Sequence, residues 1–270
     1  MKDITILIPI HKFNQTIEEY INSSFSSVLN AVSALKSNLT VKYMIVCPKD
    51  VHNELSGLSI FKNMSDDVWV ITDEETDFCS MVNKGVNKCD TEYFSVIEFD
   101  DKFTSNAFNS FIPYIETNES DTKVFLSIQE LYDASNETLE AVGYINETAW
   151  ASAFSEEIGF LDIESLEAYY NFNVTGAIIN TQFFKEVGGL KPSIKISFWY
   201  EFLLRSLYNS GKVFVVPKVC YQHAVNREDS LTREYMETIS QEEGAWWINL
   251  AQEEYFFKND RNKKYPKKKE

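Results

Sequence analysis

The sequence predicts an α/β fold in which a mostly parallel central sheet is flanked by helices. The first observation is the opening order, since two apolar strands enclose a segment with helical periodicity. Such a strand–helix–strand unit predicts parallel pairing with a right-handed crossover. The second observation is that polar and acidic residues follow the predicted strands, where open parallel sheets bind ligands. The length of 270 residues and the hydrophobic content of 44% allow one large domain or two small ones, with a sizeable core.

The first strand and the first helix have the clearest patterns. Residues 3–10 form an apolar run that ends at Pro9, and residues 11–14 form a polar loop. A helix is predicted from residue 17 to residue 35, with Thr16 as its N-cap. Its apolar positions are Ile17, Ile21, Phe25, Val28, Val32 and Leu35.

Strands and helices alternate up to the middle of the chain. Residues 41–46 form the second predicted strand and residues 68–71 the third, which an acidic loop follows at residues 72–77. Residues 78–88 are a predicted helix that leads into the central strand at residues 93–97. This order continues the parallel sheet.

The second half of the chain has shorter elements. The predicted order is a helix at 106–114, strands at 123–132 and 173–179, helices at 181–187 and 197–209, and strands at 213–216 and 219–223. A polar and irregular segment at residues 135–170 is predicted to be an insertion. Gly176 indicates close approach by a backbone or a ligand.

The C-terminal part is predicted to extend the domain as helices. An aromatic stripe there includes Trp246, Trp247, Tyr255 and Phe256. Because neighbouring glutamates would repel anionic lipid, we expect this stripe to pack on the domain or on a partner subunit rather than on a membrane. We divide the chain into a main domain at 1–229, a helical extension at 230–258 and a basic flexible tail at 259–270.

Charge, cysteine spacing and the N-terminal residues exclude several classes of function. The net charge of −16 argues against binding to duplex nucleic acid, which needs Lys and Arg at the phosphates. The four cysteines form no CxxC pair, so a zinc site is not expected, and their scatter is typical of a reduced intracellular protein. The first apolar run is too short to target or span a membrane, so we expect a cytoplasmic location.

Three carboxylates follow the central strand directly: Glu98, Asp100 and Asp101. Carboxylates at the end of a buried strand are costly unless a positive group lies beside them. Mg²⁺ or Mn²⁺ holding a phosphorylated substrate is such a group, because these cations prefer oxygen ligands. The other interpretation is that the Asp-Asp pair only opens a turn.

Other polar residues also follow predicted strands. His11, Asp50, Asp73 and Asp100 each come just after one of them. Since the carboxyl ends of parallel strands meet at one edge of a sheet, we expect these four residues to lie along that edge.

Four segments, taken together in order and spacing, resemble a known family. They are Ile6-Leu7-Ile8-Pro9-Ile10-His11; Asn83-Lys84-Gly85 with Glu98-Phe99-Asp100-Asp101; Thr175-Gly176-Ala177 with Gly188-Gly189-Leu190; and Trp199-Tyr200-Glu201 with Arg205, Tyr221-Gln222-His223 and Asp229-Ser230-Leu231-Thr232. These segments are similar to those of the family 2 glycosyltransferases with the GT-A, Rossmann-like fold. The resemblance covers about residues 4–233.

The resemblance implies a sugar transfer. The expected donor is a nucleotide-diphosphate sugar, the acceptor is a glycan or another hydroxyl compound, and the expected cofactor is Mn²⁺ or Mg²⁺. It also implies that Asp101 and Asp100 hold the cation. His223 matches a position where some members place a metal or phosphate ligand, although an ordinary histidine at a strand end would fit the same pattern. The predicted donor-binding residues are His11, Asp50, Asn83 and Asp100.

Glu201 matches the position of the catalytic base in members that invert the anomeric configuration. On this resemblance we predict that Glu201 takes the proton of the acceptor hydroxyl. Arg205 lies four residues later, so an ion pair on the same helix is the other interpretation.

Departures from the family pattern keep a second function open. Val82 precedes Asn83 where many members have Arg, and the Glu-Asp pair of the family reads Tyr200-Glu201 here. The alternative is a catalytically degenerate GT-A-like module that serves as a structural or binding component of an assembly, with the C-terminal aromatic helix as its contact. A nucleotidyltransferase is the third interpretation, but residues 10–13 lack the Gly- and Lys-rich loop that it needs.

Overall fold

The computed structural model describes residues 3–62, 64–65, 68–72, 77–117, 121–134, 141–227 and 230–255. These residues form one mixed nine-stranded sheet with helices on both faces. The α/β class and the flanking helices therefore agree with the sequence prediction.

The N-terminal half alternates strands and helices. Its elements are β1 (Asp3–Pro9), α1 (Gln15–Ser33), β2 (Thr40–Pro48), α2 (Lys49–Leu55), β3 (Trp69–Thr72), α3 (Phe78–Lys88) and β4 (Tyr93–Val96). In this half, β1 pairs in parallel with both β2 and β4, and β2 pairs in parallel with β3. The parallel sheet predicted from the opening strand–helix–strand unit is thus present.

The C-terminal half has more elements than the sequence pattern indicated. They are β5 (Lys102–Phe103), α4 (Ala107–Glu116), β6 (Thr122–Asp133), β7 (Ala141–Ile145), a 3₁₀ turn (Glu147–Trp150), α5 (Ile163–Ala168), β8 (Ile178–Asn180), α6 (Thr181–Glu186), α7 (Phe198–Tyr208), β9 (Lys212–Val225), α8 (Leu231–Thr238) and α9 (Gln241–Glu254). The strand order is β3-β2-β1-β4-β8-β6-β9-β5, with β7 paired to β6. Here β6 and β9 are parallel, whereas β8, β7 and β5 pair antiparallel to their neighbours.

Two hydrophobic clusters form the core, one on each face of the sheet. On one face, α3, α6 and α7 contribute Val82, Phe184 and Leu203. On the other face, α1 and α4 contribute Ile21 and Phe108. All five side chains are at most 1% exposed, so the helices cover both faces of the central strands.

Several predicted boundaries differ from the structure. Helix α1 is capped by Asn14, whose side chain accepts the backbone N–H of Ile17, and not by Thr16. The two predicted strands near the C-terminus are one long strand, β9, with irregular register opposite Ile128 of β6. A long strand interrupted by Pro217 looks like two short strands in the sequence, because proline usually ends a run.

The segment predicted as an irregular insertion is partly ordered. Strand β7, the 3₁₀ turn and α5 lie within it, and residues 135–140 are outside the described part of the chain. Buried Asn146 organises its path: its amide donates to the carbonyls of Ser127 and Asn173 and accepts the N–H of Asn173. A single side chain that satisfies three distant backbone groups has no periodic signature in the sequence.

The C-terminal helices pack on the domain. Trp247 and Leu250 of α9 form a cluster with Ile194, and Tyr255 is buried in the core on the α7 side. Phe256 and the basic tail lie outside the described residues. No helix in the described ranges is long and apolar enough to cross a bilayer.

Candidate functional site

Asp101 lies at the centre of a polar cluster beyond the C-terminal end of β4. The chain turns there, since the N–H of Asp101 donates to the carbonyl of Glu98 over 3.1 Å. The Asp101 side chain is fully buried. Its Oδ1 accepts the backbone N–H of Ala224 over 2.8 Å, and its Oδ2 lies 2.9 Å from Nδ1 of His223. The central strand and β9 therefore meet at this carboxylate.

Asp100 is paired with Arg227, whereas Asp101 is paired with His223. Its Oδ2 lies 2.9 Å from Nε of Arg227, and its backbone carbonyl accepts the hydroxyl of Tyr132. The guanidinium carbon of Arg227 lies 5.5 Å from the ring centroid of Tyr20 and 4.9 Å from that of Phe99. Two adjacent aspartates are thus each paired with a cationic group, Asp101 with His223 of β9 and Asp100 with Arg227 directly after β9.

Tyr221 of β9 contacts the backbone of the cluster at Glu98. Its hydroxyl accepts the backbone N–H of Glu98 over 3.2 Å, and burial together with the charges of Asp101 and Glu98 raises the pKa of that hydroxyl. Gly176 makes room for this ring: it has φ of +74°, and a Cβ there would lie 2.2 Å from the Tyr221 ring. The close approach expected at Gly176 is therefore that of a neighbouring side chain.

The cluster carries more acidic than basic groups among the described residues. Burial, followed by the charges of Asp101 and Asp100, raises the pKa of Glu98 to about 8. Burial and the charge of Asp101 raise the pKa of Asp100 to about 6. Burial alone would lower the pKa of His223, but the charge and hydrogen bond of Asp101 outweigh it and raise that pKa to about 9. His223 is therefore cationic at neutral pH in this arrangement.

His11 lies beside the cluster, just past the end of β1. Its ring centroid is 5.8 Å from that of Phe99, and its Nε2 is buried without a hydrogen-bond partner among the described residues. Burial, together with the charges of Lys12 and Arg227, lowers the pKa of His11 to about 4. A neutral imidazole with an unsatisfied buried nitrogen is suited to a polar ligand group.

Asp50 and Asp73, which were predicted to lie along the same edge, are not among the described members of the cluster. Asp50 is exposed in the first turn of α2, directly after β2, and so remains open to a ligand. Asp73 lies outside the described residues.

Asn83 was predicted to bind the donor, but its side chain serves the backbone instead. Its amide donates to the carbonyl of Leu190 over 2.7 Å and accepts the N–H of Leu190 over 2.8 Å. A Cβ on Gly189 would come within 2.4 Å of the Asn83 oxygen, so the glycine permits this contact. Asn83 thus joins α3 to the turn after α6, and both ends of its amide are used.

Glu201 was predicted as the base, and the structure shows the ion pair that was the other interpretation. Its two carboxylate oxygens accept Nε and Nη2 of Arg205 over 2.7 and 2.8 Å, and Lys191 lies 3.3 Å away. Both Glu201 and Arg205 are 0% exposed. Arg205 also donates to the carbonyls of Val187 and Gly189. In this structure the carboxylate has no exposed surface for an acceptor hydroxyl, and a base must lie within hydrogen-bond reach of the proton it takes.

The residues predicted to hold a cation have suitable chemistry. Two carboxylates are ligands that Mn²⁺ and Mg²⁺ accept, and the imidazole of His223 can join them once it releases its second proton. In the described residues, however, no three such groups are already arranged around an ion position. The reason is visible in the contacts, since Asp101 is bound to His223 and Asp100 is bound to Arg227.

Sequence reasoning missed Arg227, Tyr132 and Tyr221 as members of the site. Tyr132 and Tyr221 are core residues of long strands, so nothing local distinguishes them from packing residues. Arg227 had a weak signal, because it is a single basic residue close after His223 in an acidic chain.

The chain is similar to known proteins both in sequence pattern and in fold. A family model described as glycosyltransferase like family 2 matches residues 5–270. No curated protein sequence matches the chain significantly. The structure of S. aureus TarS 1-349 in complex with UDP shares 16% identity and a TM-score of 0.58, over 95% of this chain and 72% of that chain. The TarS 1-349 complex with UDP-GlcNAc shares 17% identity and a TM-score of 0.60, over 94% of this chain and 66% of that chain. The fold is therefore that of the GT-A glycosyltransferases.

Proposed function

The chain belongs to glycosyltransferase-like family 2, and from this premise we propose that it transfers a sugar from a nucleotide-diphosphate donor to an acceptor hydroxyl. The observation that carries this proposal is the buried acidic cluster at the end of β4, which has one cationic partner on β9 and one directly after it, with neutral His11 on the other side. Because TarS binds UDP and UDP-GlcNAc on a similar fold, UDP-sugars are the donors to test first.

A divalent cation completes the proposal. Asp101, Asp100 and His223 would hold Mn²⁺ or Mg²⁺, whose charge would offset that of the departing diphosphate. His11 and Asp50 supply the polar groups on the nucleotide side, since both follow strands at the same edge of the sheet.

The proposed reaction forms one bond and breaks another. The acceptor oxygen bonds to the anomeric carbon as the bond from that carbon to the diphosphate oxygen breaks, and the bonding electrons leave with the nucleoside diphosphate. The hydroxyl proton passes to a base other than Glu201, whose oxygens are held by Arg205. We propose inversion at the anomeric carbon, as the family resemblance implies. The NMR coupling constant of the product's anomeric proton tests this assignment.

The test of donor binding uses Asp101→Asn. Asparagine keeps the shape and the acceptor for the Ala224 N–H but removes the charge, so Mn²⁺-dependent UDP binding should weaken by about 100-fold, near the upper range for a charged hydrogen bond. Calorimetry with MnCl₂ and UDP measures this change. Asp90→Asn is the matched control, because Asp90 is exposed and paired with Lys42.

One outcome of this test would refute the proposal. If the wild-type protein binds no common nucleoside diphosphate with or without Mn²⁺, and Asp101→Asn behaves in the same way, sugar transfer at this cluster is wrong. The second candidate, a degenerate module within an assembly, would then lead. The structural use of Asn83 and Glu201 favours that candidate, and native mass spectrometry showing a strict monomer without partners would count against it.

A further inference from the structure

Arg227 is buried beside the acidic cluster, although it lies in the short connection between β9 and α8. Its exposure is 7%, and its guanidinium lies over the rings of both Tyr20 and Phe99. Its charge offsets that of Asp100 over 2.9 Å. A guanidinium held by two aromatic faces keeps its charge and orientation while its ion-pair partner changes.

The backbone that carries Arg227 is anchored on both sides. Asn226 turns the chain with φ of +61°, and its side chain donates to Asp133 over 3.0 Å. The carbonyl of Asn226 accepts Nη1 of Arg233 over 3.2 Å, and the N–H of Ser230 donates to the carbonyl of Arg227. These hydrogen bonds therefore fix the position of the backbone at Arg227.

Arg227 lies close to both parts of the proposed donor site. Its guanidinium carbon is 4.9 Å from the ring centroid of Phe99, which lies 5.8 Å from that of His11, and its Nε is 2.9 Å from Oδ2 of Asp100. A nucleoside diphosphate bound across these parts would bring its phosphate oxygens towards the guanidinium. Guanidinium groups match phosphate oxygens through paired N–H donors.

We propose that Arg227 is an exchangeable counterion. It neutralises Asp100 in the donor-free protein, and it transfers to the diphosphate oxygens when a divalent cation and the nucleotide bind. The physical reason is charge: a cation at Asp100 repels the guanidinium, while the diphosphate supplies the anion that the guanidinium then needs. This inference rests on the proposed function, since it assigns a residue to the same donor site.

The proposal predicts opposite effects on two ligands. Without Arg227, Asp100 loses the cation of its ion pair, so Mn²⁺ alone should bind more tightly. The nucleotide loses a charged donor, so UDP in the presence of Mn²⁺ should bind more weakly. A residue that only supported the fold would weaken both ligands when removed.

The experiment compares Arg227→Met with Lys42→Met. Lys42 is an exposed cation of β2 paired with Asp90, so its replacement removes one positive charge away from the cluster. Electron paramagnetic resonance of free Mn²⁺ measures the metal affinity, and calorimetry measures UDP binding with Mn²⁺. We expect Arg227→Met to bind Mn²⁺ several-fold more tightly and UDP about 10- to 100-fold more weakly, with Lys42→Met close to wild type.

A third variant covers the case in which Arg227→Met does not fold. Arg227→Lys keeps the charge but not the paired donors, so its Mn²⁺ affinity should stay near that of wild type while UDP binding falls. Weakening of both ligands in every folded Arg227 variant, or unchanged UDP binding, would overturn the counterion role. If the counterion role is overturned but the wild-type protein binds UDP with Mn²⁺ and transfers sugar, the proposed function stands without that role for Arg227. If the wild-type protein binds no UDP, the counterion role and the proposed function are both wrong.

Discussion

At the residue scale, the same side-chain types perform unlike tasks in this protein. Asp101 and Glu201 are both fully buried carboxylates, yet Asp101 faces a partly exposed histidine and a strand backbone, whereas Glu201 is enclosed by Arg205 and Lys191. The difference lies in access. A carboxylate can bind a ligand only where its partner can be displaced or where space remains beside it, and an enclosed ion pair offers neither.

Glu201→Gln tests the structural role of this carboxylate. The variant leaves Arg205 buried with reduced compensation, so we expect a loss of about 3–5 kcal/mol in the free energy of unfolding. Urea denaturation followed by circular dichroism measures it. The double variant Glu201→Gln/Arg205→Met should recover much of the loss, because it removes the unpaired charge. A large fall in kcat with unchanged stability would instead show that Glu201 is the base.

At the element scale, β9 organises the site. It pairs with β6 along its length and with β5 at one point, and it supplies Tyr221, His223 and the backbone N–H of Ala224 to the end of β4. Strands β4 and β9 are not neighbours in the sheet, since β8 and β6 lie between them. Gly176 packs against the ring of Tyr221 in β9, and the backbone N–H of Gly176 donates to the carbonyl of Val96 in β4. This residue therefore joins the two strands.

Gly176→Ala tests this junction. The left-handed backbone costs about 1–2 kcal/mol for a residue with a side chain, and the clash with the Tyr221 ring adds to it. We expect a lower free energy of unfolding and weaker UDP binding, measured by urea denaturation and calorimetry. Gly143→Ala is the control, because its nearest neighbour is a Leu131 side-chain carbon at 3.8 Å. Equal effects of the two substitutions would contradict this explanation.

At the scale of the whole molecule, the C-terminal helices belong to the same packed body as the sheet. The hydroxyl of Ser197, before α7, donates to the carbonyl of Trp247, and the Trp247 ring nitrogen donates to Tyr235 of α8. Tyr255 donates to Glu167 of α5. The predicted boundary at residue 229 thus divides the sequence into a main domain and a helical extension, and these hydrogen bonds join the extension to the main domain. An oligomer contact through the aromatic helix stays a prediction.

Trp247→Ala tests whether this body unfolds as one unit. The indole is 8% exposed, so its removal should cost about 3–5 kcal/mol. Calorimetry should show one transition at a lower Tm, because α9 is joined to α7 through buried contacts. Asn249→Ala is the control on the exposed side of the same helix. An additional early transition, with the main one unchanged, would indicate a separate C-terminal unit.

Prediction from sequence was most successful where the signal is local. Helix α3 was predicted at residues 78–88 and is found there, because its apolar spacing and its acidic N-cap, Asp77, act within a few residues. Helix α2 and strand β5 were missed. The first is short, and the second has only two residues, which exist as a strand only because β9 lies beside them.

For the candidate site, the strand-end pattern predicted that His11, Asp50, Asp73 and Asp100 share one edge of the sheet, and the resemblance added Asp101 and His223. The structure brings His11, Asp100, Asp101 and His223 to one neighbourhood, whereas Asp50 begins α2 and Asp73 lies outside the described residues. The roles of Asn83 and Glu201 were not predictable in this way. Each residue type suits both a ligand and a backbone or ion-pair partner, and the choice depends on residues far away in the chain, such as Leu190 for Asn83.

Local order in the chain was enough to predict the alternation of strands and helices and the acidic strand end, because periodicity and spacing act over short distances. The family was indicated by the resemblance of four segments in order along the chain. The folded chain alone decided which cation faces which carboxylate. Asp100 and Arg227 are separated by more than a hundred residues, and no local rule relates them. Their pairing follows from the strand order of the sheet, which brings the end of β9 to the end of β4.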